Sequence, residues 1–289
     1  MLKIYLLTVL TMAMLISCEA GNGDENMEKS NKQKVIELLK SIETGAQEPV
    51  AYINANKYIQ HNQAVGDGLA GFGAALGALA ELAANDPAMA PKVNTVRVFE
   101  DGDFVIAHTD YNFFGPKIGI DIFRFENGLI AEHWDNLQEK VEETASGRTQ
   151  IDGPTEVLDK EKTEENKTLV KNLLKDVFFG ADPDKISDYI STEKYHQHNP
   201  GVKDGLSGLG EALTALAEAG MPMVYEKNHA VFGEGNFVLS VSEGIFMKEK
   251  VAFYDIFRIE DGKIVEHWDT IEKIIPDAEA MNSNGKFNF

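Results

Sequence analysis

Two stretches of the chain place acidic, imidazole and aromatic side chains at the same spacing: IDIFRFENGLIAEHWDN, beginning at Ile120, and FYDIFRIEDGKIVEHWDT, beginning at Phe253. Each contains the run Asp-Ile-Phe-Arg and ends in Glu-His-Trp-Asp plus one residue. Carboxylates and imidazoles are the side chains that most often move protons in enzymes. The repetition indicates a site that occurs twice, with Asp121 and Asp255 as the candidate catalytic acid/base groups. The alternative is that both are structural carboxylates paired with a nearby tyrosine or histidine.

The turn in the middle of each stretch decides which side chains share a face of the sheet. Asn127-Gly128 and Asp261-Gly262 are typical of two-residue hairpin turns, and residues directly opposite each other in a hairpin point to the same side. An uninterrupted hairpin places Asp121 opposite Trp134. An aspartate on an apolar face beside a tryptophan loses solvation, which raises its pKa. The predicted cavity face carries Asp121, Phe123, Phe125, Ile130, Glu132 and Trp134 in the first copy, and Asp255, Phe257, Ile259, Ile264, Glu266 and Trp268 in the second.

The other polar side chains of these stretches fall on the opposite face in that register. We expect them to serve an interface rather than catalysis. One extra residue in either strand, a β-bulge, would reverse the assignment, because it turns every later side chain to the other face. The side chains affected are Arg124, His133 and Asp135, with Arg258, His267 and Asp269 in the second copy.

A second repeated segment carries further candidate site residues. It reads YIQHN from Tyr58 and YHQHN from Tyr195, and in both copies an Asp-Gly-Leu sequence follows and opens an alanine-rich helical stretch. His61 and His198 recur at matching positions and could either contact a substrate or only close a turn. His196 has no counterpart in the first copy, so a paired-histidine metal site is not predicted.

The order of the predicted elements is the same in both copies and indicates the fold class. Apolar residues at helical spacing fill residues 32–42 and 165–178, and a third helix begins after Asp67 or Asp204, whose carboxylates suit helix capping. Four strand-like runs follow. Helices followed by an antiparallel meander predict an α+β fold, here two tandem cone-shaped domains, each with helices and a curved antiparallel sheet.

The N-terminal residues predict export from the cytoplasm. Lys3 precedes an apolar run over residues 4–15, and Leu15-Ile16-Ser17-Cys18 follows; this resembles a bacterial lipoprotein signal that ends at a lipidated Cys18. The run is short for a membrane span, which needs about 20 apolar residues. An ordinary signal peptide or an uncleaved anchor is the alternative. We expect a lipid-anchored protein of the bacterial cell envelope, on the periplasmic or surface side.

The predicted organisation follows from the repeat. The YxQHN segments are offset by 137 residues and the hairpins by 134. The predicted segments are the signal peptide at 1–18, an acidic tether at 19–30, domain 1 at 31–141, a linker at 142–163, domain 2 at 164–275 and a C-terminal tail at 276–289.

Composition excludes some partners and sites. The 47 acidic and 27 basic residues give a formal net charge of −20, which argues against nucleic acid and anionic membrane surfaces as partners. We expect contact with the membrane only through the lipid anchor. Cys18 is the one cysteine of the sequence, so no intramolecular disulfide can form. The sequence contains no phosphate-binding loop, nucleophile elbow or zinc-type cysteine spacing.

Together, Tyr-X-Gln-His-Asn, Asp-Gly-Leu, Asp-X-Phe-Arg and Gly-X-Ile-X-Glu-His-Trp-Asp resemble the SnoaL-like polyketide cyclase family of the nuclear transport factor 2-like superfamily. The resemblance covers residues 31 to 276 and both copies. It implies a cystatin-like, cone-shaped fold with a cavity, and intramolecular aldol condensation or a related isomerisation of a small apolar carbonyl compound. It implies no metal and no organic cofactor. Relatives of this fold commonly dimerise through their sheets, so the two copies are expected to form an intramolecular pseudo-dimer.

The resemblance also implies roles for individual residues. Asp121 and Asp255 match the acid/base aspartate of these cyclases. His61 and His198 would orient the substrate or hold an enolate oxygen. The expected substrate-binding residues are Asn62, Asn199, Trp134, Trp268, Tyr58, Tyr195, Glu132 and Glu266. The alternative is a non-catalytic lipoprotein that uses the same fold to bind a small ligand or to assemble.

Overall fold

The computed structural model describes residues 29–289. Residues 1–28, which contain the predicted signal peptide, Cys18 and most of the acidic tether, lie outside the described residues. The described chain folds into two α+β units, and in each unit helices precede a mostly antiparallel sheet of five strands. The predicted fold class is confirmed.

The first unit contains helices α1 (Asn31–Thr44) and α2 (Gly68–Asn85), strands β1 (Ile59–Gln60), β2 (Lys92–Asp101), β3 (Phe104–Asn112), β4 (Pro116–Glu126) and β5 (Leu129–Glu139), and 3-10 turns at Glu48–Tyr52 and Pro87–Met89. The strand order in the sheet is β1-β5-β4-β3-β2. The short strand β1 pairs in parallel with β5. This pairing brings the YIQHN segment beside the Glu-His-Trp-Asp run.

The second unit contains helices α3 (Thr163–Leu173), α4 (Ile186–Tyr189) and α5 (Gly205–Glu218), and strands β6 (His196–Gln197), β7 (Val224–Glu234), β8 (Phe237–Phe246), β9 (Glu249–Glu260) and β10 (Lys263–Lys273). A π-helical turn at Leu174–Phe178 continues α3, and 3-10 turns lie at Lys160–Lys162 and Pro183–Lys185. The strand order is β6-β10-β9-β8-β7, with β6 parallel to β10. The second sheet therefore has the topology of the first.

The helices that begin after Asp67 and Asp204 start where the sequence predicts, but the capping prediction is wrong. Neither side chain makes a capping hydrogen bond to its helix. Asp67 accepts from the backbone amide of Gln60 at 3.1 Å, and Asp204 accepts from that of Gln197 at 2.9 Å. The two carboxylates instead tie the start of each helix to the YxQHN segment, because that segment passes close to the helix end.

The hairpin of β4 and β5 contains a β-bulge close to its turn. Asn127 and Gly128 have φ angles of 52° and 77°, as a two-residue primed turn requires. Beyond the first pairs the register shifts by one residue and leaves Ala131 as the extra residue of β5. The second unit repeats the shift between Ile264 and Glu266. The bulge turns every later side chain of β5 and β10 to the other face.

The predicted face assignment is therefore wrong for the last part of each stretch. Asp121 lies opposite Asp135 rather than Trp134, and Asp255 lies opposite Asp269. The histidine and the final aspartate of each Glu-His-Trp-Asp run share a face with the candidate catalytic aspartate. The glutamate and the tryptophan lie on the opposite face.

Each sheet packs on its own helices with one face and towards the other unit with the opposite face. The helix-side core of the first unit includes Val35 and Leu38 of α1. Between the sheets, one core cluster buries Trp134 of the first unit together with Ile256 and Trp268 of the second. The two units thus share a continuous hydrophobic core.

Among the described residues, α2 is the one helix that is long and apolar enough to cross a membrane, judged by length and composition alone. In the fold, α2 covers a cavity of the first unit and contributes small and apolar side chains to its wall. The apolar composition of α2 is explained in part by the side chains that it contributes to that wall.

Candidate functional site

Each unit encloses a cavity between its helices and the helix-facing side of its sheet. Cavity 1, in the first unit, has a volume of about 410 Å³, and cavity 2, in the second unit, about 440 Å³. Most of the wall is apolar, with a few polar side chains, as is typical of small-molecule sites. The polar wall residues include Tyr58, Gln60, Asn62, Asp121, His133 and Asp135 in cavity 1, and Tyr195, Gln197, Asn199, Tyr225, His267 and Asp269 in cavity 2.

In the first unit, two aspartates and a histidine form a buried cluster on the wall of cavity 1. His133 Nε2 lies 3.1 Å from Oδ1 of Asp121. Tyr111 donates its hydroxyl hydrogen to Oδ2 of Asp121 at 2.7 Å, so both oxygens of this carboxylate are occupied. Asn62 donates from Nδ2 to Oδ2 of Asp135 at 2.9 Å. Oδ1 of Asp135 is buried and has no hydrogen-bond partner among the described residues.

The second unit repeats this cluster. His267 Nε2 lies 3.1 Å from Oδ1 of Asp255, and Tyr225 donates its hydroxyl hydrogen to the same oxygen at 3.1 Å. Asn199 donates to Oδ2 of Asp269 at 2.6 Å. Oδ1 of Asp269 is again buried without a partner in the described part of the chain. In both units the free acceptor belongs to the final aspartate of the Glu-His-Trp-Asp run.

The tyrosine that donates to the inner aspartate comes from a different strand in each unit. Tyr111 lies in β3, and the residue at the matching place in β8 is Gly244. Tyr225 reaches the cluster from β7, where it pairs with Gly244. A Cβ atom at Gly119 would lie 2.6 Å from the Tyr111 ring, whereas Phe253, at the matching place in β9, stacks on Tyr225. The contact recurs but the positions do not, so comparison of the copies could not reveal it.

Burial changes the acid/base properties of the cluster. Burial raises the pKa of Asp121, although hydrogen bonds from His133 and Tyr111 oppose the rise. Burial also raises the pKa of Asp269 to about 6. Burial disfavours the charged form of His133, yet its pKa is raised, because the hydrogen bond to Asp121 and the charge of Asp135 outweigh that effect. The matching imidazole of the second unit behaves likewise. A carboxyl group that binds its proton closer to neutral pH is suited to acid/base catalysis.

A tyrosine hydroxyl on each cavity wall is available as a donor. The hydroxyl oxygen of Tyr58 accepts from Nε2 of Gln60 at 3.2 Å, and that of Tyr195 accepts from Nε2 of Gln197 at 2.9 Å. Within residues 29–289 neither hydroxyl hydrogen has an acceptor. Burial raises the pKa of both tyrosines well above the ordinary value. Both therefore stay neutral and can donate to a substrate oxygen.

The histidines predicted to contact substrate lie behind the cavity wall. Side chains alternate along an extended segment, so Asn62 faces cavity 1 while His61 points away. His61 stacks on Trp134 with 4.2 Å between ring centres, and its Nε2 lies 2.9 Å from Glu132. Arg124 donates to the same glutamate at 2.8 Å. The corresponding residues of the second unit, with the same histidine–glutamate and histidine–tryptophan contacts, are His198, Trp268 and Glu266.

Six predicted site residues thus do not line the cavities, contrary to expectation. The bulge moves the tryptophans and glutamates to the far face, and strand alternation moves the histidines there. The six are His61, His198, Trp134, Trp268, Glu132 and Glu266.

The other predicted residues mostly lie where expected. Asn62, Tyr58 and Asp121 line cavity 1, and Asn199 and Tyr195 line cavity 2. Asp255 is fully buried and, among the described residues, is not part of the wall of cavity 2. It contacts the cavity indirectly, through the histidine that lies on the wall.

The sequence does not identify as site residues the two aspartates, Asp135 and Asp269, whose Oδ1 atoms lack a hydrogen-bond partner among the described residues. An uninterrupted hairpin predicts an interface role for Asp135, Asp269, His133 and His267, because no feature of the sequence marks the bulge. The available signal was the recurrence of the whole Glu-His-Trp-Asp run, which requires a reason for every one of its polar positions. The role of Tyr111 had no signal in the repeat.

The same clusters bring three potential metal-ligand atoms together. Atoms of Asp121, His133 and Asp135 lie within 4.8 Å of one another, and the matching set of the second unit does so as well. A cation there would have to displace the hydrogen bond between His133 and Asp121. In the structure these groups form a hydrogen-bonded cluster.

Comparison with solved structures finds proteins that each match less than half of this chain. No model of a known protein family matches the chain, and no curated protein matches it. A SnoaL-like polyketide cyclase from Agrobacterium tumefaciens is 16% identical over 37% of this chain and 91% of its own, with a TM-score of 0.30.

Two further solved structures show similarity of the same extent. A protein of unknown function with a cystatin-like fold from Xanthomonas campestris is 24% identical over 37% of this chain and 89% of its own, with a TM-score of 0.32. An LEH-like epoxide hydrolase from M. tuberculosis is 22% identical over 38% of this chain and 85% of its own, with a TM-score of 0.30. Similarity at this level carries no information on activity, and the helices and sheets of the chain itself define its α+β class.

Proposed function

We propose that each cavity catalyses proton transfer at a carbon next to a carbonyl group of a small, largely apolar compound, as in an aldol cyclisation or an isomerisation. The observation that carries the proposal is that Asp135 and Asp269, which line two apolar cavities, each have a buried Oδ1 without a hydrogen-bond partner among the described residues. A buried polar atom without a partner costs about 1–3 kcal/mol. Its recurrence in both units favours a functional reason for that cost.

The catalytic base is Asp135 in cavity 1 and Asp269 in cavity 2. Asp121 is less suited to this role, because Tyr111 and His133 already occupy its two oxygens. In the proposed step, Oδ1 of the base takes the proton from the α-carbon, the C–H electron pair forms a carbon–carbon double bond, and the carbonyl oxygen becomes an enolate. The enolate carbon then forms a bond to a second carbonyl carbon, whose oxygen takes the proton from the base, or the enolate takes that proton back from the base at another carbon.

The tyrosine hydroxyls supply stabilisation for the enolate oxygen. Tyr58 and Tyr195 line the cavities and have a hydroxyl hydrogen to donate. A preplaced donor aimed at a developing oxyanion is often the largest single contribution to catalysis. In cavity 2 the charge of a protonated His267 opposes the rise that burial causes in the pKa of Asp269.

A test that needs no knowledge of the natural substrate is exchange of α-hydrogens for deuterium. A panel of cyclic ketones in D₂O is followed by NMR with the parent and with Asp135→Asn, Asp269→Asn and the double variant. Each single variant is expected to retain the exchange of the other cavity, and the double variant to lose a factor on the order of 10²–10⁴. Asp103→Asn, in the exposed β2–β3 turn, is the control and is expected to match the parent.

The outcome of this test separates the two functions that the sequence left open. A folded double variant that exchanges every active ketone at the parent rate would refute the acid/base role. Saturable ketone binding without exchange in the parent would support the ligand-binding alternative on the same cavities. The resemblance of the sequence motifs to SnoaL-like cyclases favours the catalytic reading.

The location and the organisation of the chain complete the proposal. The signal-like residues 1–18 support lipidation at Cys18 and a position in the bacterial cell envelope. The two units are proposed to be duplicated copies that form a pseudo-dimer within one chain. Support for the pseudo-dimer comes from the shared core between the sheets, in which Trp134 and Trp268 are buried in one cluster.

A further inference from the structure

The segments that follow the last strand of each unit cross to the opposite unit. Residues 145–152, here called the linker strap, follow β5 of the first unit and contact the YHQHN segment of the second. Residues 275–289, here called the tail strap, follow β10 of the second unit and contact the YIQHN segment of the first. Each strap therefore contacts the unit other than the one whose last strand it follows.

The tail strap holds the backbone on both sides of the histidine in YIQHN. Nδ2 of Asn282 donates to the carbonyl oxygen of Asn62 at 2.7 Å, and Nδ2 of Asn284 donates to that of Gln60 at 2.9 Å. The backbone amide of Met281 donates to the carbonyl of Gln63 at 2.8 Å. The strap therefore fixes the residue whose side chain orients the carboxylate of the proposed base.

The linker strap repeats the arrangement on the second unit. Ser146 donates its hydroxyl hydrogen to the carbonyl oxygen of Gln197 at 2.7 Å. The backbone amide of Ala145 donates to the carbonyl of Pro200 at 2.9 Å. Arg148 pairs with Asp204 at 2.9 Å, where Asn284 of the tail strap contacts the matching aspartate of the first unit at 2.7 Å.

The tail strap contributes more to cavity 1 than the linker strap contributes to cavity 2. Met281 and Glu272 of the second half lie on the wall of cavity 1. The buried Lys286 pairs with the Glu272 carboxylate and donates to the backbone carbonyl of Asp135 at 3.1 Å. Among the described residues that line cavity 2, all lie between Val177 and Asp269. Cavity 1 is thus built from both halves of the chain.

We infer that the tail strap is a positioning element of cavity 1, in which Asn282 and Asn284 hold Asn62 so that it orients the carboxylate of Asp135. The role deepens the proposed function and rests on it for its catalytic consequence. The positioning of these side chains does not depend on the proposed catalysis. If it holds, loss of the tail-strap contacts changes the titration of His133 in cavity 1 and leaves that of His267 in cavity 2 unchanged.

The first test follows the two cluster histidines by NMR titration of the full chain. Their signals are assigned with His133→Asn and His267→Asn. In the variant Asn282→Ala with Asn284→Ala, the titration midpoint of His133 is expected to fall towards its ordinary value of roughly 6.5, while that of His267 stays at the parent value. The matched control is Ser146→Ala with Arg148→Ala in the linker strap. It is expected to change the titration midpoint of His267 and to leave that of His133 at the parent value.

The second test measures catalysis in cavity 1 alone. In an Asp269→Asn background, the tail-strap variant is expected to lower ketone exchange roughly tenfold to hundredfold, because small displacements of a positioned group have effects of this size. An unchanged His133 midpoint, or equal movement of both histidines, would overturn the positioning role. The titration does not depend on turnover, so a protein without exchange activity would refute the proposed function and still leave the strap tested.

Discussion

Nδ2 of Asn62 donates a hydrogen bond to Oδ2 of Asp135 at 2.9 Å, and this bond joins the loop before α2 to the far part of β5. It fixes one oxygen of a buried carboxylate and leaves the other, Oδ1, without a partner in the described chain. The two residues are 73 positions apart. The orientation of the proposed base therefore depends on a contact between distant parts of the sequence.

Replacing Asn62 with alanine is expected to lower the free energy of unfolding by about 1–3 kcal/mol, because Oδ2 of the buried Asp135 loses its donor. The same change should reduce ketone exchange in cavity 1 and leave cavity 2 active. Denaturant unfolding and deuterium exchange are the measurements. Asn56→Ala, at an exposed position, is the control, and an equal loss of stability in that variant would contradict the account.

Asp269→Asn is expected to stabilise the protein above pH 6 and to be neutral below about pH 4. The folded-state pKa of Asp269 is raised to about 6 by burial, whereas an unfolded aspartate has a pKa of about 3.9. The free energy of unfolding of the parent therefore falls as pH rises from the unfolded to the folded pKa, by on the order of 2–3 kcal/mol. Asparagine cannot ionise, so the variant avoids this loss.

The pH dependence of that difference is the test. Denaturant unfolding at pH 4, 5, 6 and 7 should show a stability gap between variant and parent that grows with pH and then levels off. Asp277→Asn, at an exposed position in the C-terminal tail, should show no such growth. A gap that shrinks as pH rises would mean that burial does not govern this carboxyl group.

Gly119→Ala is expected to destabilise the protein by about 1–3 kcal/mol, the usual cost of overpacking. The new methyl group would lie 2.6 Å from the ring of Tyr111 and 2.7 Å from Leu137. The ring of Tyr111 would have to shift and its bond to Asp121 would weaken. Thermal unfolding with Gly73→Ala as control checks this, since nothing lies within 4 Å of a Cβ at Gly73 and alanine favours a helix. Equal effects at the two glycines would contradict the packing account.

Cys18→Ser is expected to abolish lipidation and to release a folded protein from the membrane fraction. The released protein is expected to fold because residues 29–289 contain all three hydrophobic core clusters: one between the helices and the sheet of each unit, and one between the two sheets. Cell fractionation and circular dichroism of the released protein are the measurements. Retention of the variant in the membrane would indicate that residues 4–15 act as an uncleaved anchor.

The local features of the chain could be inferred from its sequence because they depend on neighbouring residues. Turn residues with positive φ, such as Asn127 and Gly128, mark the hairpin that the structure contains. Helical spacing predicts α1 and α3, and the succession of helices and strands predicts the α+β class. The residue types that could move protons were recognised because they recur at the same spacing.

The identity of the proposed base was decided only by the tertiary structure. One extra residue, Ala131, exchanges the faces of the strand and replaces Trp134 by His133 and Asp135 beside Asp121. A bulge depends on how two strands pack against helices and against the second sheet. The type of the extra residue does not mark its position as a bulge. The supporting tyrosines and the exchanged straps likewise depend on contacts between residues far apart in the chain, which no local pattern of side chains encodes.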